Sequence, residues 1–149
     1  AAVRYPPGGI RGIGSALARS GRWNRVEKYL LDGDAHVSLL VQIENQAGVD
    51  AAAEIAAVDG VDGVFIGPSD LSASMGLLGQ QSHPDVVAAV LRTFEAVRSQ
   101  GKAAGVNAFD PAVAQGYLDA GASFVVVGAD VTLLARGAEA LAARYLPQP

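Results

Sequence analysis

Near-continuous apolar runs alternate with stretches of helical spacing along most of this chain. The run "HVSLLVQIE" (36–44) predicts a first strand, apolar enough to be buried on both faces as in a parallel sheet. An Ala-rich stretch near 47–58 predicts a helix that Asp59-Gly60 stop. "DGVFIG" (62–67) predicts a second strand. Pro84 opens a helix running to about Gln100, with Val87, Val90, Leu91, Phe94 and Val97 as its buried stripe. Gly101 ends that helix. "KAAGV" (102–106) reads as a third, weaker strand. Asp110-Pro111 starts the next helix, with Asp as N-cap and Pro at the first helical position. "SFVVVG" (123–128) is the fourth strand, and a last helix covers about 131–145.

Strand–helix alternation means an α/β fold, a parallel sheet joined by right-handed crossovers. Two architectures fit the pattern. One is a small doubly wound sheet; the other is half of a (β/α)8 barrel, which takes roughly 250 residues when whole. In both, functional groups gather at the C-terminal ends of the strands. Residues 1–35 read as loop and short helices, and 36–149 as four βα units. Within the first segment, "GGIRGIGSALARSG" (8–21) looks like a dinucleotide-binding turn. Such a turn needs a buried strand before it. Here Pro6 and Pro7 precede it and remove backbone donors. No Tyr is followed four residues later by Lys, the pairing dehydrogenases of this type use. The stretch reads as a sharply turning loop that leads into a short helix.

The strand ends carry the candidate chemistry. Gln42 and Glu44 alternate onto one face of the first strand. Asp70 follows the Gly67-Pro68 turn at the end of the second strand. By itself Glu44 could be a solvated strand tip, and Asp70 could be the N-cap of a turn containing Leu71 and Ser72. Together they place two carboxylates on adjacent strand ends, about 5 Å apart from strand to strand. Two carboxylates with no Lys or Arg nearby in sequence suit a hard cation, Mg2+ or Mn2+, and argue against structural zinc. Asn107 stands at the third strand end, where it lines a pocket, and Asp130 at the fourth reads as a helix cap. His36 and His83 lie away from strand ends and read as structural or solvent-facing. Trp23 and Tyr29 read as packing residues, and Arg4, Arg11, Arg19 and Arg22 as solvated loop cations or subunit contacts.

The chain has 149 residues, half of them hydrophobic, which suits one globular domain with a sizeable core. Its net charge of −4, without a basic run, argues against a nucleic-acid partner. The absence of Cys excludes disulfides, thiolate metal sites and Cys nucleophiles, and fits a cytoplasmic protein. No apolar run approaches the roughly 18 residues of a membrane span, so no membrane contact is expected, and no signal peptide is apparent. The chain opens on Ala1 rather than Met, as a piece of a longer polypeptide would.

Five motifs in order resemble one family: "RYPPGGIRGIGSALAR", "LLVQIEN", "VDGVFIGPSDLSASMG", "GKAAGV" and "FVVVGADVTLLAR". They are similar to the metal-dependent (class II) pyruvate aldolases of the HpcH/HpaI family, over about Arg4 to Tyr145. The resemblance implies a (β/α)8 TIM barrel of which this chain covers about strands five to eight. The Gly-rich stretch then matches the loop before the fifth barrel strand. The implied activity is reversible cleavage of a 4-hydroxy-2-oxo acid, such as 4-hydroxy-2-oxoheptanedioate or 2-dehydro-3-deoxyglucarate, to pyruvate and an aldehyde through a metal-stabilised enolate. Glu44 and Asp70 match the family's metal-binding acids, with Co2+ as a third candidate ion. Gln42 matches the glutamine that faces pyruvate. Ser69 matches a position, often Ala, whose backbone N–H holds the carboxylate. Asn107 departs from an aliphatic residue near the aldehyde, and "GADVTLLAR" from "GVDTTLLAR".

The family's catalytic base and carboxylate-gripping arginine belong to the half that this chain lacks, and neither His36 nor His83 matches the base. The chain alone is therefore expected to be inactive or nearly so, with two open sheet edges and exposed apolar surface. The resemblance implies a homo-oligomer, a hexamer in the family, with 131–145 packing on a neighbour. Two other readings compete. An acyl-CoA lyase of the citrate-lyase type needs a basic CoA groove, and none is clear. A non-catalytic packing fragment needs no site at all.

Overall fold

The computed structural model describes residues 1–14 and 17–146. Ser15 and Ala16, inside the Gly-rich stretch, and the last three residues lie outside that set. The chain divides into two units, Ala1–Leu39 and Leu40–Pro149.

The first unit holds a 3-10 turn at Arg19–Gly21, helix α1 at Tyr29–Asp32 and a second 3-10 turn at Gly33–His36. No strand precedes Gly8 among the described residues, so a pyrophosphate-binding turn has no foundation there. The Arg11 guanidinium lies 4.8 Å from the centre of the Tyr5 ring. Trp23, expected to pack, is 60% exposed, with the Arg25 guanidinium 5.9 Å from its ring centre.

The second unit is a four-stranded parallel sheet: β1 (Leu40–Ile43), β2 (Gly63–Ile66), β3 (Ala103–Asn107) and β4 (Phe124–Val126). Its helices are α2 (Gln46–Asp50), α3 (Ala52–Ala57), α4 (Pro68–Ser74), α5 (Pro84–Ser99), α6 (Pro111–Asp119) and α7 (Asp130–Tyr145). The first strand is shorter than the predicted 36–44. The ladder register starts where Leu40 meets Gly63. Residues 33–36 close into a local 3-10 turn instead. The helix predicted over 47–58 is interrupted at Ala51, which separates α2 from α3.

Strand order is β1-β2-β3-β4, each strand beside its successor. No strand order reverses, as it would in a doubly wound sheet. Register then sorts the side chains. Ile43, Val64, Ile66, Ala104 and Val106 are buried under the helices. Helix α5 packs on β2 and β3 and supplies Val86, Ala89, Val90, Thr93, Phe94 and Val97 to the core. Val87 and Leu91 of the predicted stripe are only half-buried, because the buried face is centred on Val86 and Val90.

The opposite face carries Leu40, Gln42, Phe65, Phe124 and Val126, none of them fully buried. Here Phe65, Gly105 and Phe124 stand in one register row. The two rings stack across Gly105 with centroids 6.2 Å apart and planes 10° from parallel. A Cβ on Gly105 would collide with the Phe124 ring. Substituting Gly105→Ala is therefore expected to destabilise the fold by about 1–3 kcal/mol in urea unfolding. The added change Phe124→Leu is expected to recover part of that loss, since the sites share one space. A Gly105→Ala variant as stable as the parent would show that the row tolerates a side chain.

Candidate functional site

The C-terminal ends of β1 and β2 lie side by side because Ile43 pairs with Ile66 and the Gly67 amide donates to the Ile43 carbonyl at 3.0 Å. One residue later the chains diverge. On the β1 side, Asn45 caps α2 by accepting the Gly48 amide at 2.8 Å. That turn leaves Glu44 exposed at the rim. The Gln42 amide donates to a Glu44 carboxylate oxygen at 2.8 Å, so the two residues expected on one face are joined there.

On the β2 side, Gly67 is the N-cap of α4 and Pro68 is its first residue. Asp70 is thus in the first turn of the helix rather than its cap, because Pro68 starts the helix two residues earlier. Asp70 is exposed. Neither Glu44 nor Asp70 forms an ion pair among the described residues. Gly67 lies under the Glu44 side chain. A Cβ built there would stand 3.0 Å from the Gln42 amide nitrogen and 3.6 Å from a Glu44 oxygen. The glycine leaves room for both polar side chains at the strand end. No group of three or more His, Cys, Asp or Glu side chains forms a metal cluster among the described residues.

A cavity of about 340 Å³ opens beside this rim, between the start of α4 and the start of α6. Ser69, Gln81, Asn107, Asp110, Val113 and Tyr117 line it. It therefore unites two of the expected residues, Ser69 and Asn107. The Ser69 hydroxyl accepts from the Gln81 amide at 3.3 Å. Asn107, the last residue of β3, is half-buried and its side chain makes no hydrogen bond among the described residues. Asp110 accepts the Ala112 and Val113 amides at 2.9 and 3.0 Å, the cap expected of it.

Tyr117 escaped the sequence reading. It is 4% exposed and packs edge-on against Phe94 with ring centres 6.0 Å apart. Burial raises its pKa above the ordinary 10.0. Its place two turns into the helix after β3 was the available signal, but only packing directs it to the cavity. The other expected residues fall outside the site. His83 is the N-cap of α5, and its Nδ1 accepts the Asp85 amide at 3.2 Å. His36 ends a 3-10 turn. Asp130 is the first residue of α7, with Ala129 as its N-cap, and accepts the Val131 amide at 2.8 Å.

Comparison with known proteins fits this geometry. The profile of the HpcH/HpaI aldolase/citrate lyase family matches residues 1–137. The chain belongs to that family. A 4-hydroxy-2-oxo-heptane-1,7-dioate aldolase of Salmonella heidelberg (strain SL476) is 55% identical over 145 residues, covering 97% of this chain and 55% of the relative. The crystal structure of an HpcH/HpaI aldolase/citrate lyase family protein from Burkholderia cenocepacia J2315 matches with a TM-score of 0.79 and 38% identity, over 95% of this chain and 56% of that one. An HpcH/HpaI aldolase from Desulfitobacterium hafniense DCB-2 matches with a TM-score of 0.72 and 28% identity, over 98% and 58%. The chain spans about half the length of the curated relatives it matches.

The raised Tyr117 pKa carries a sign that can be checked. Its folded state keeps the phenol proton above pH 10.0, where the unfolded chain releases it. The contribution of this group to stability is full below that pH and falls as pH rises toward the folded value. Near-ultraviolet absorbance titration of the parent minus Tyr117→Phe is expected to isolate one phenol with a midpoint above 10.0. A difference curve centred at or below that value would contradict the burial.

Proposed function

We propose that this chain forms strands five to eight of a (β/α)8 aldolase barrel, with residues 1–35 as the loop and short helices before the four βα units of 36–149. Joined to its other half, the barrel cleaves a 4-hydroxy-2-oxo acid, such as 4-hydroxy-2-oxoheptanedioate or 2-dehydro-3-deoxyglucarate, to pyruvate and an aldehyde. The carrying observation is the pair of carboxylates at neighbouring strand ends, Glu44 and Asp70, with no cationic partner among the described residues. The sequential strand order supports the barrel half. So does the uncovered second sheet face, which in a closed barrel would be the packed interior.

Glu44 and Asp70 would hold a divalent cation, Mg2+ or Mn2+, with Co2+ as a third candidate. The donor set fits: two hard oxygen ligands without His or Cys, and a glycine, Gly67, that leaves space for the Glu44 side chain. When bound, such a cation supplies Lewis-acid stabilisation of the charge that develops on the ketone oxygen.

This chain's own residues then divide the work. Gln42 donates to Glu44, orients that carboxylate and faces the 2-oxo acid. The Ser69 backbone N–H, at the start of α4, holds the substrate carboxylate. Asn107 borders the aldehyde fragment. As the C3–C4 bond breaks, its electron pair stays on C3 as the enolate, and C4 becomes the aldehyde carbon. The 4-hydroxyl proton passes to a base outside this chain, and C3 is reprotonated to give pyruvate.

The assembly is a homo-oligomer in this reading. Helix α7 has no buried residue, and Leu133, Leu134, Leu141 and Tyr145 are exposed along it, a surface that a second copy would cover. No helix among the described residues is long and apolar enough to cross a membrane, and a cytoplasmic location follows as part of the same proposal.

In the protein as the cell makes it, Glu44→Ala and Asp70→Ala are each expected to cut Mg2+-dependent pyruvate release by at least ~100-fold, with unchanged circular dichroism. Rates equal to the parent would leave only a packing role. Gly67→Ala probes the space beneath the carboxylate. It is expected to weaken Mn2+ binding, followed by electron paramagnetic resonance, on the order of 10-fold. Undiminished Mn2+ affinity would count against Glu44 as a ligand.

A further inference from the structure

Past the Gly67 amide, the strand ladder no longer joins the segments that carry Glu44 and Asp70. A side chain joins them instead. The Gln46 backbone N–H, two residues after Glu44, donates to the Ser74 hydroxyl at 3.2 Å, across 28 residues of sequence. Gln46 is the first residue of α2, so its amide is one of those that a helix start leaves without an internal acceptor. Asn45 serves the Gly48 amide, and Ser74 serves this one from another helix. The Ser74 hydroxyl in turn donates to the Leu71 carbonyl at 2.8 Å, which leaves its lone pairs to accept from Gln46. Asp70 and Ser74 stand one helical turn apart on α4 and share a face of it. The hydrogen bond therefore turns the Asp70 face of α4 toward the start of α2, where the chain has just left Glu44.

We propose that Ser74 is a positioning residue for the divalent cation: its hydroxyl ties α4 to α2 and so sets the separation of Glu44 and Asp70. The inference rests on the cation reading above and adds a residue that does not itself touch the ion. The tie answers a physical need. Both carboxylates are exposed at the rim, and two like charges brought together repel each other until a cation lies between them. Helix α4 has only seven residues, too few to hold its place without contacts to its neighbours. Register fixes where β1 and β2 end, but not how α4 leans after Pro68. Buried Leu71 anchors the inner side of α4, and Ser74 fixes its rotation toward α2. Gln42 thus holds Glu44 from the strand side, while Ser74 holds the helix of Asp70 from the other.

Mn2+ affinity, followed by electron paramagnetic resonance in the protein as the cell makes it, reads this tie without turnover. Ser74→Ala is expected to weaken Mn2+ binding roughly 5-fold with unchanged circular dichroism, since a neutral hydrogen bond is lost and both carboxylates remain. Ser74→Thr keeps the hydroxyl and is expected to stay within about twofold of the parent. Gln46→Pro removes the donor itself, at a position where helices accept proline. Asn45 before it is already extended, with φ −149° and ψ 163°. Alone, Gln46→Pro is expected to weaken Mn2+ binding about as much as Ser74→Ala does. Added to Ser74→Ala, it is expected to cause no further loss, because the shared bond is already gone. A general folding role for Ser74 would leave Mn2+ affinity unmoved or give two losses that add. Parent-like affinity in Ser74→Ala, a loss that Ser74→Thr does not restore, or additive losses in the double variant overturn the inference. Glu44→Gln is measured beside these. If it loses Mn2+ while Ser74→Ala does not, the tie alone falls and the cation reading stands. If Glu44→Gln keeps the parent's affinity, both fall.

Discussion

The site depends on register between the first two strands. Ile43 stands opposite Ile66, and the Gly67 amide extends the ladder to the Ile43 carbonyl. Both chains therefore leave the sheet at one level, and Glu44 and Asp70 emerge from the same rim. Side chains alternate along a strand, so a slip of one residue would turn Gln42 and Glu44 toward the helices and Ile43 outward. Burial of Ile43, Val64 and Ile66 opposes that slip, because it would expose all of β1's core contribution. Hydrophobic burial on one face thus holds the polar geometry on the other.

The same division organises the rest of the sheet. The helix-covered face is filled by Val, Ile and Ala, with Phe94 as its largest fully buried side chain. The other face keeps Phe65 and Phe124 stacked over a glycine, beside the two polar residues of β1. Local capping then sets where each functional group emerges. Asn45 turns the chain into α2 just after Glu44, and Pro68 starts α4 just before Ser69 and Asp70. Asp110 does the same for α6, which carries Tyr117 back to the cavity. Phe94, from α5, fixes the tyrosine ring edge-on, so the hydroxyl's position is a consequence of core packing.

Much of this was legible in the residues. Four apolar runs marked four strands, and the second and third lie within a residue of their expected bounds, while the fourth ends two residues early. Pro84, Asp110-Pro111 and Gly101 act through the backbone alone, so they end or begin helices wherever the chain places them. The first strand was overextended because apolar character marks what can be buried, while a strand forms only where a neighbour offers hydrogen bonds. The ladder between the first two strands begins only at Leu40, opposite Gly63. Asp70 was weighed as a cap, but Gly67 and Pro68 had already started the helix. The stripe of α5 was displaced toward Val87 and Leu91, since periodicity defines a face but not its centre.

What the sequence determined by itself was local: strand and helix order, the caps, the polar pair Gln42 and Glu44 on one face, and the motifs that mark the family. Tertiary structure decided which strand ends became neighbours and that strand order runs without reversal. It alone brought Ser69, Asn107 and Tyr117, far apart in the chain, around one cavity. The reason is range. Capping and alternation act over a few residues and are written in adjacent letters, whereas a cavity wall is assembled by burial of apolar faces, which depends on area removed from water and not on sequence separation.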